Sequence, residues 1–104
     1  MLKPLVFETL LALTDEPQHG WALVRALQQR AAGQRILPGN FYRTLRRMLS
    51  DGLIEVVPGR SRSTDERRRY FRLTPRGQHV VREEARRLQA LVQDSRTRKL
   101  LRAR

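Results

Sequence analysis

The chain has 104 residues, no cysteine and a formal net charge of +12, from 22 Lys and Arg against 10 Asp and Glu. This length fits one domain and excludes a large multidomain enzyme, while the absence of cysteine excludes disulfide frameworks, zinc ribbons, iron–sulfur clusters and thiol nucleophiles. The 39% of hydrophobic residues is enough for one modest core, and a domain this small often gains stability from a partner subunit, so its size is consistent with a dimer.

The first half of the chain predicts two helices. The first helix runs from Leu2 to Leu13 and is apolar over more than half of its circumference, which is typical of a helix with neighbours on two sides. A polar break with proline and glycine follows it, from Thr14 to Gly20. We expect the second helix from about Trp21 to Ala31.

A third helix is predicted to begin at Pro38, which suits a first turn, and to end at Asp51-Gly52. At 100° per residue its side chains separate into two faces. The apolar face holds Phe41, Leu45, Met48 and Leu49, and the outward face holds Tyr42, Arg43, Arg46 and Arg47. This layout predicts a helix that enters a major groove, where arginine binds guanine and tyrosine reaches phosphate. The alternative is an ordinary solvated face of an amphipathic helix.

Two extended segments, Leu53 to Val57 and Arg69 to Leu73, predict a β-hairpin. Its long loop carries a group of arginines that could reach a minor groove or phosphates: Arg60, Arg62, Arg67 and Arg68. The alternative is a disordered charged loop, because Asp65-Glu66 dilutes the positive charge.

Thr74 and Pro75 predict the N-cap and first turn of a last helix of about 25 residues. Its apolar stripe predicts a core or a dimer seam: Val81, Ala85, Leu88 and Val92. Beyond Val92 charge dominates, and we expect this end to fray unless a partner holds it. The order of elements predicts a mainly α fold with a small β-hairpin, a winged helix-turn-helix over residues 1–75, followed by a C-terminal dimerisation helix and basic tail over residues 76–104.

The positive charge is regional, because residues 1–34 are neutral and the whole excess lies in residues 35–104. Arginine supplies 20 of the 22 basic residues, and its planar fork of donors suits phosphate and guanine. No lipidation signal and no basic helix with aromatic anchors favours a membrane partner. We therefore expect a nucleic acid partner. An RNA- or ribosome-associated basic protein, and a winged helix used for protein contacts, are the alternatives.

The sequence predicts no enzyme, no cofactor and no metal site. His19 and His79 lack a carboxylate cluster around them, so that His19 is expected to serve a turn or the packing. Glu83 and Glu84 point about 100° apart on a helix and are expected to pair with nearby arginines or a partner subunit. No apolar stretch approaches the roughly 20 residues of a membrane span, and no signal peptide is evident, so a cytoplasmic location is expected.

Four blocks of the sequence resemble those of the PadR-like winged-helix transcriptional regulators, in the small subgroup with a single C-terminal helix. The blocks are His19-Gly20-Trp21, Pro38 to Met48, Asp51 to Glu55, and Arg67 to Gly77. The similarity extends from about Leu5 to Val92. It implies a homodimeric repressor whose terminal helices pair, and whose recognition helices and wings bind an inverted-repeat operator in double-stranded DNA.

The resemblance also implies roles for individual positions. It makes Tyr42 a DNA-contacting residue, and it places Gly39 and Asn40 beside the phosphates. The predicted DNA-binding residues are Gly39, Asn40, Tyr42, Arg43, Arg46, Arg47, Arg60, Arg62 and Arg67. The predicted dimerisation residues are Leu2, Leu5, Phe7, Val81, Leu88 and Val92. A small-molecule inducer is compatible with this function but is not identified. Residues 74–104 contain no aromatic residue apart from histidine, so the aromatic-ligand pocket of some relatives is not expected.

Overall fold

Helices and short strands alternate along the computed structural model, which describes residues 2–30, 37–58 and 69–102. The helices are α1 (Pro4–Ala12), α2 (Gly20–Arg30), α3 (Pro38–Ser50), α4 (Pro75–Gln93) and α5 (Ser95–Arg102). The strands are β1 (Gln18–His19), β2 (Ile54–Val56) and β3 (Tyr70–Leu73). The part of the chain that is described is therefore mainly helical with a small sheet, as the sequence predicts.

The sheet is antiparallel and has β3 at its centre, in the order β1-β3-β2. The β2–β3 pair is the predicted hairpin, with Ile54 opposite Leu73 and Val56 opposite Phe71. Strand β1 was not predicted, because its two residues lie in the segment interpreted as a polar break. A strand this short carries no alternating pattern of its own, and it exists because His19 pairs with Tyr70 of β3.

The core lies where α1, α2 and α3 meet the inner face of the sheet. Its largest fully buried side chains are Phe41 and Phe71. The buried apolar residues are Leu10, Leu13, Leu23, Val24, Leu27, Phe41, Leu45, Met48, Leu53, Ile54, Phe71, Leu73 and Val81. Each fully buried side chain of this size contributes roughly 1.5–3 kcal/mol relative to exposure, so this cluster fixes how α3 is held against the rest of the subunit.

A glycine turn links α3 to the sheet. Gly52 has a positive φ of 75°, a conformation that other residues adopt only with strain. The Leu53 N–H donates to the Met48 carbonyl at 3.0 Å, and the Gly52 N–H donates to the Leu49 carbonyl at 3.1 Å. These two bonds form a Schellman motif, so the predicted end of the third helix at Asp51-Gly52 is confirmed.

The start of α4 also follows the prediction. Thr74 is its N-cap, with the hydroxyl oxygen accepting from the Gly77 N–H at 3.0 Å, and Pro75 occupies the first turn. The same hydroxyl donates to the Gly52 carbonyl. One side chain therefore joins the start of α4 to the turn that ends α3.

The last helix differs from the prediction, because two helices occupy the region where one of about 25 residues was expected. Asp94 interrupts the helix with a ψ of 136°, and its carboxylate accepts from the Arg96 N–H at 2.8 Å. Hydrogen bonds from the side chain and then the backbone of Arg96 lower the pKa of Asp94 below its ordinary value. An aspartate that bonds a backbone amide two residues ahead competes with helix continuation, so α5 begins anew at Ser95.

Candidate nucleic-acid interface

The two faces of α3 are divided as the sequence predicts. Phe41, Leu45 and Met48 are buried in the core, and Leu49 is half-buried. The three arginines of the outward face are exposed: Arg43, Arg46 and Arg47. Since the apolar face is fixed by packing, α3 presents these guanidinium groups to the solvent from a rigid element.

Two of these arginines have partners on α3 itself. The Arg43 guanidinium donates to the Asn40 side-chain oxygen, and Arg47 lies 3.7 Å from the carboxylate of Asp51. Both contacts join exposed side chains one helical turn apart, where an ion pair or hydrogen bond contributes only a few tenths of a kcal/mol. They orient the arginines at low cost, so an anionic partner could displace them.

Tyr42 lies at the boundary between the two faces. Its side chain is half-buried, packs against the core and meets the Phe41 ring edge-on, with the ring centroids 5.8 Å apart. The sequence predicted an outward tyrosine, and the structure shows one that is partly enclosed. Packing limits the ring to few orientations, which favours a contact at the edge of the exposed face rather than at its centre.

The start of α3 is open. Leu37 precedes the helix in an extended conformation and is exposed, and its side chain forms no cap hydrogen bond. Gly39 is exposed, and a β-carbon added there would meet nothing within 4 Å. The Asn40 side chain bonds to Arg43. The first turn of α3 is thus accessible to a large partner such as a DNA backbone.

The base of the hairpin is tied to α2. The Gly20 N–H donates to the Arg69 carbonyl at 3.1 Å, and the Val57 N–H donates to the Tyr70 carbonyl at 2.8 Å. On the outer face of the sheet, Arg72 donates to Glu55 at 2.8 Å. The predicted loop arginines Arg60, Arg62, Arg67 and Arg68 lie outside the described residues.

His19 serves the local structure, as expected. Its Nδ1 accepts from the Ala22 N–H at 3.0 Å, which caps the start of α2. Its ring meets that of Tyr70 at a right angle, with centroids 5.4 Å apart. The histidine therefore holds α2 and β3 together at the base of the hairpin.

The predicted dimerisation residues fall into two groups. Val81 is buried in the core of its own subunit, whereas Leu2, Leu5, Phe7 and Leu88 are partly buried and Val92 is exposed. Residues other than Val81 are thus accessible to a second chain.

Glu84 is a structural residue whose importance the sequence did not reveal. It is almost completely buried and receives two hydrogen bonds from Arg87, at 2.7 and 2.9 Å, and one from the Leu2 N–H at 3.3 Å. The hydrogen bonds from Arg87 are the main reason why the pKa of Glu84 falls from its ordinary 4.5 to about 2, although burial opposes this shift. The predicted pairing of Glu83 and Glu84 with arginines of α4 is confirmed.

Other kinds of site were searched for within residues 2–30, 37–58 and 69–102. No group of three or more histidine and acidic residues is arranged there to hold a metal ion. None of the helices in these ranges combines the length and the apolar character needed to cross a bilayer.

Two curated proteins are similar to this chain. A transcriptional regulator of Mycobacterium tuberculosis is 36% identical over 84 residues, which are 77% of this chain and 71% of that protein. An uncharacterized 37.1 kDa protein in transposon TN4556 of Streptomyces fradiae is 36% identical over 76 residues, or 73% of this chain. The chain spans only 20% of the length of that second protein.

Solved structures share the fold. A PadR family transcriptional regulator from Eggerthella lenta matches with a TM-score of 0.69 and 30% identity, over 96% of this chain and 83% of that one. Bacillus subtilis PadR in complex with operator DNA matches with a TM-score of 0.67 and 14% identity, over 82% and 48% of the two chains. These matches confirm the predicted winged-helix fold.

The family comparison agrees with these similarities. The profile of the transcriptional regulator PadR-like family matches residues 9–83, which include the exposed arginines of α3 and both strands of the hairpin. A family of transcriptional regulators is consistent with the predicted absence of enzymatic activity. The chain belongs to the transcriptional regulator PadR-like family.

Proposed function

We propose that the protein is a sequence-specific, double-stranded DNA-binding repressor that acts as a homodimer on an inverted-repeat operator. The observation that carries the proposal is the division of α3, with Phe41 and Met48 buried on one side and three exposed arginines on the other. A helix held in this way by its apolar face can enter a major groove without rearrangement of the core.

The chemistry of the exposed face favours DNA. Arginine binds the O6 and N7 atoms of guanine through two parallel hydrogen bonds, which is the commonest base-specific contact in the major groove. We assign Arg43, Arg46 and Arg47 to the major groove. Gly39 and Asn40, in the open first turn of α3, lie beside the phosphates, and Tyr42 contacts the DNA backbone from the edge of the face.

The hairpin loop supplies the second contact. We assign Arg60, Arg62 and Arg67 to phosphates or the minor groove that flank the α3 site, where charge increases affinity without reading sequence. The fold likeness to Bacillus subtilis PadR, which was solved with operator DNA, supports this mode of approach.

The dimer is proposed from the exposed apolar residues. Leu2, Leu5 and Phe7 of α1 and its leading segment, with Leu88 and Val92 of α4, form the surface that a second subunit would cover. A two-fold dimer places two recognition helices on successive turns of one DNA face, about 34 Å apart. A signal that changes this spacing, such as a bound small molecule, would release the operator.

The test starts from a random duplex library, from which the protein selects its preferred sites. Fluorescence anisotropy then compares the selected duplex with a scrambled duplex of equal composition, and with an RNA duplex, at about 50 and 200 mM salt. We expect a preference of roughly 10³-fold or more for the selected site at the higher salt. Equal binding to all three that disappears as salt rises would overturn the proposal in favour of a general basic RNA- or DNA-binding protein.

A charge reversal on α3 shows which surface binds. Arg46→Glu should abolish binding to the selected duplex, whereas Arg82→Glu, an exposed position on α4 with the same change of charge, should reduce it only slightly. Equal losses from the two variants would indicate general attraction to phosphate and contradict our assignment. A transcription assay in vitro, with the selected site placed over a promoter, tests the repressor role, which requires that added protein lowers transcript yield.

A further inference from the structure

Helix α5 has an apolar face that nothing in its own chain covers. None of its residues is buried, and Leu100 and Leu101 are 74% and 73% exposed. At 100° per residue both leucines fall on one side with Thr97, and the opposite side holds Arg98, Lys99 and Arg102. An isolated helix of eight residues is not stable in water, so α5 needs a surface that covers its leucines.

The subunit has a groove of matching character between α1 and α4. It has a volume of about 570 Å³ and is lined mainly by apolar side chains: Leu2, Pro4, Phe7 and Leu88. Its buried carboxylate, Glu84, is already occupied by Arg87 and the Leu2 N–H. Because that charge is satisfied internally, the groove suits apolar side chains better than a cation.

The register of two identical arms brings the groove and α5 together. Between them on the sequence lie Leu91 and Val92, which are 50% and 55% exposed. In an antiparallel two-fold pairing each contact is made twice, with the partners exchanged. If Leu91 and Val92 lie at the axis, the residues nine positions after them, Leu100 and Leu101, face those nine positions before them, next to Glu84 of the second chain.

We propose that α5 of each subunit inserts Leu100 and Leu101 into the groove between α1 and α4 of a second copy of this chain. The proposal rests on the homodimer proposed above and names the segment that completes it. The break at Asp94 frees α5 from the axis of α4, so that it can turn into the partner's groove. The basic side of α5 then stays in solvent.

Cross-linking tests the placement, since the chain contains no cysteine. Lys3→Cys, at the groove, and Leu101→Cys, on α5, are prepared separately, mixed and oxidised. We expect a disulfide-linked heterodimer in the mixture and little cross-linking of either variant alone. Arg25→Cys, at an exposed position of α2, replaces Lys3→Cys in the control and should give no product.

Sedimentation velocity provides the second measurement. The double variant L100D/L101D should raise the dimer dissociation constant by at least about tenfold, because four leucines per dimer lose their cover. The control R98A/R102A makes the same change of net charge on the opposite side of α5 and should leave the constant unchanged.

The outcomes separate this inference from the proposed function. A wild-type dimer without the heterodimer disulfide, or one unaffected by L100D/L101D, overturns the insertion of α5 and leaves the DNA-binding dimer standing. Loss of DNA affinity in R98A/R102A alone, with the leucine variant unaffected, would show that α5 contacts DNA and also overturns it. A wild-type monomer that still selects a duplex site overturns the dimer and the insertion together, but not the recognition by α3.

Discussion

Gly77 lies so close to Leu53 that a β-carbon on it would stand 2.0 Å from the Leu53 carbonyl oxygen and 3.0 Å from the carbonyl carbon. That oxygen is held in place, because it accepts a hydrogen bond from the Thr74 N–H at 3.1 Å. The first turn of α4 therefore packs directly on the backbone that leaves α3, and only glycine permits this approach.

We expect Gly77→Ala to destabilise the protein by at least about 2 kcal/mol, because backbone atoms must move to admit the methyl group. Urea denaturation followed by circular dichroism measures the change. Gly39→Ala is the matched control, since a β-carbon there meets nothing within 4 Å and alanine favours a helix by up to about 1 kcal/mol. A Gly77→Ala protein as stable as the control would contradict the close approach.

The buried ion pair of Glu84 should make stability depend on pH. The pKa of Glu84 is about 2 in the folded protein against an ordinary 4.5, so its contribution is complete above about pH 5 and is lost as the pH falls towards 2. The excess stability of the wild type over Glu84→Gln should therefore shrink across this range.

Urea denaturation at several pH values from 7 to 3 measures this difference. Glu83→Gln is the control, because Glu83 forms an exposed ion pair with Arg86, and such pairs contribute little. A difference between the wild type and Glu84→Gln that stays constant down to pH 3 would show that Glu84 does not carry the pH dependence.

His19 should be worth about 1–2 kcal/mol through its cap on α2 and its contact with Tyr70. His19→Ala loses both, whereas His19→Asn retains a side-chain oxygen that can accept from the Ala22 N–H and should lose less. His79→Ala changes the other histidine, at an exposed site of α4, and should alter stability by less than about 0.5 kcal/mol. Thermal melts of the four proteins rank these effects, and equal melting temperatures would disprove the cap.

Reading and clamping of DNA should be separable by mutation. Arg46→Ala is expected to cost about 1–3 kcal/mol on the selected duplex and to relax the choice of base, while Arg62→Ala should weaken all duplexes alike and flatten the salt dependence. Anisotropy titrations on matched and single-mismatch duplexes at several salt concentrations measure both effects. Equal losses on every sequence from both variants would contradict the division.

Local patterns were enough to predict α3 and its two faces. The repeat of apolar residues that ends in Leu45 and Met48 is set by the helical period alone, and Gly52 is the signal that ends the helix. The N-cap at Thr74 was predictable for the same reason, because the cap and the amide that it binds are three residues apart. Four blocks in the right order were sufficient for the family.

Features that depend on distant partners were not predictable. Strand β1 exists only because it pairs with β3, and the sequence around Gln18 carries no strand pattern. Glu84 was predicted to pair with an arginine, but its burial and its bond to Leu2 depend on how α1 lies against α4. The sequence therefore determined the elements, the charge and the arginine face, since these follow from neighbours a few residues apart. The tertiary structure decided which of those residues are enclosed and which remain open to a partner, because burial depends on residues far away in the chain.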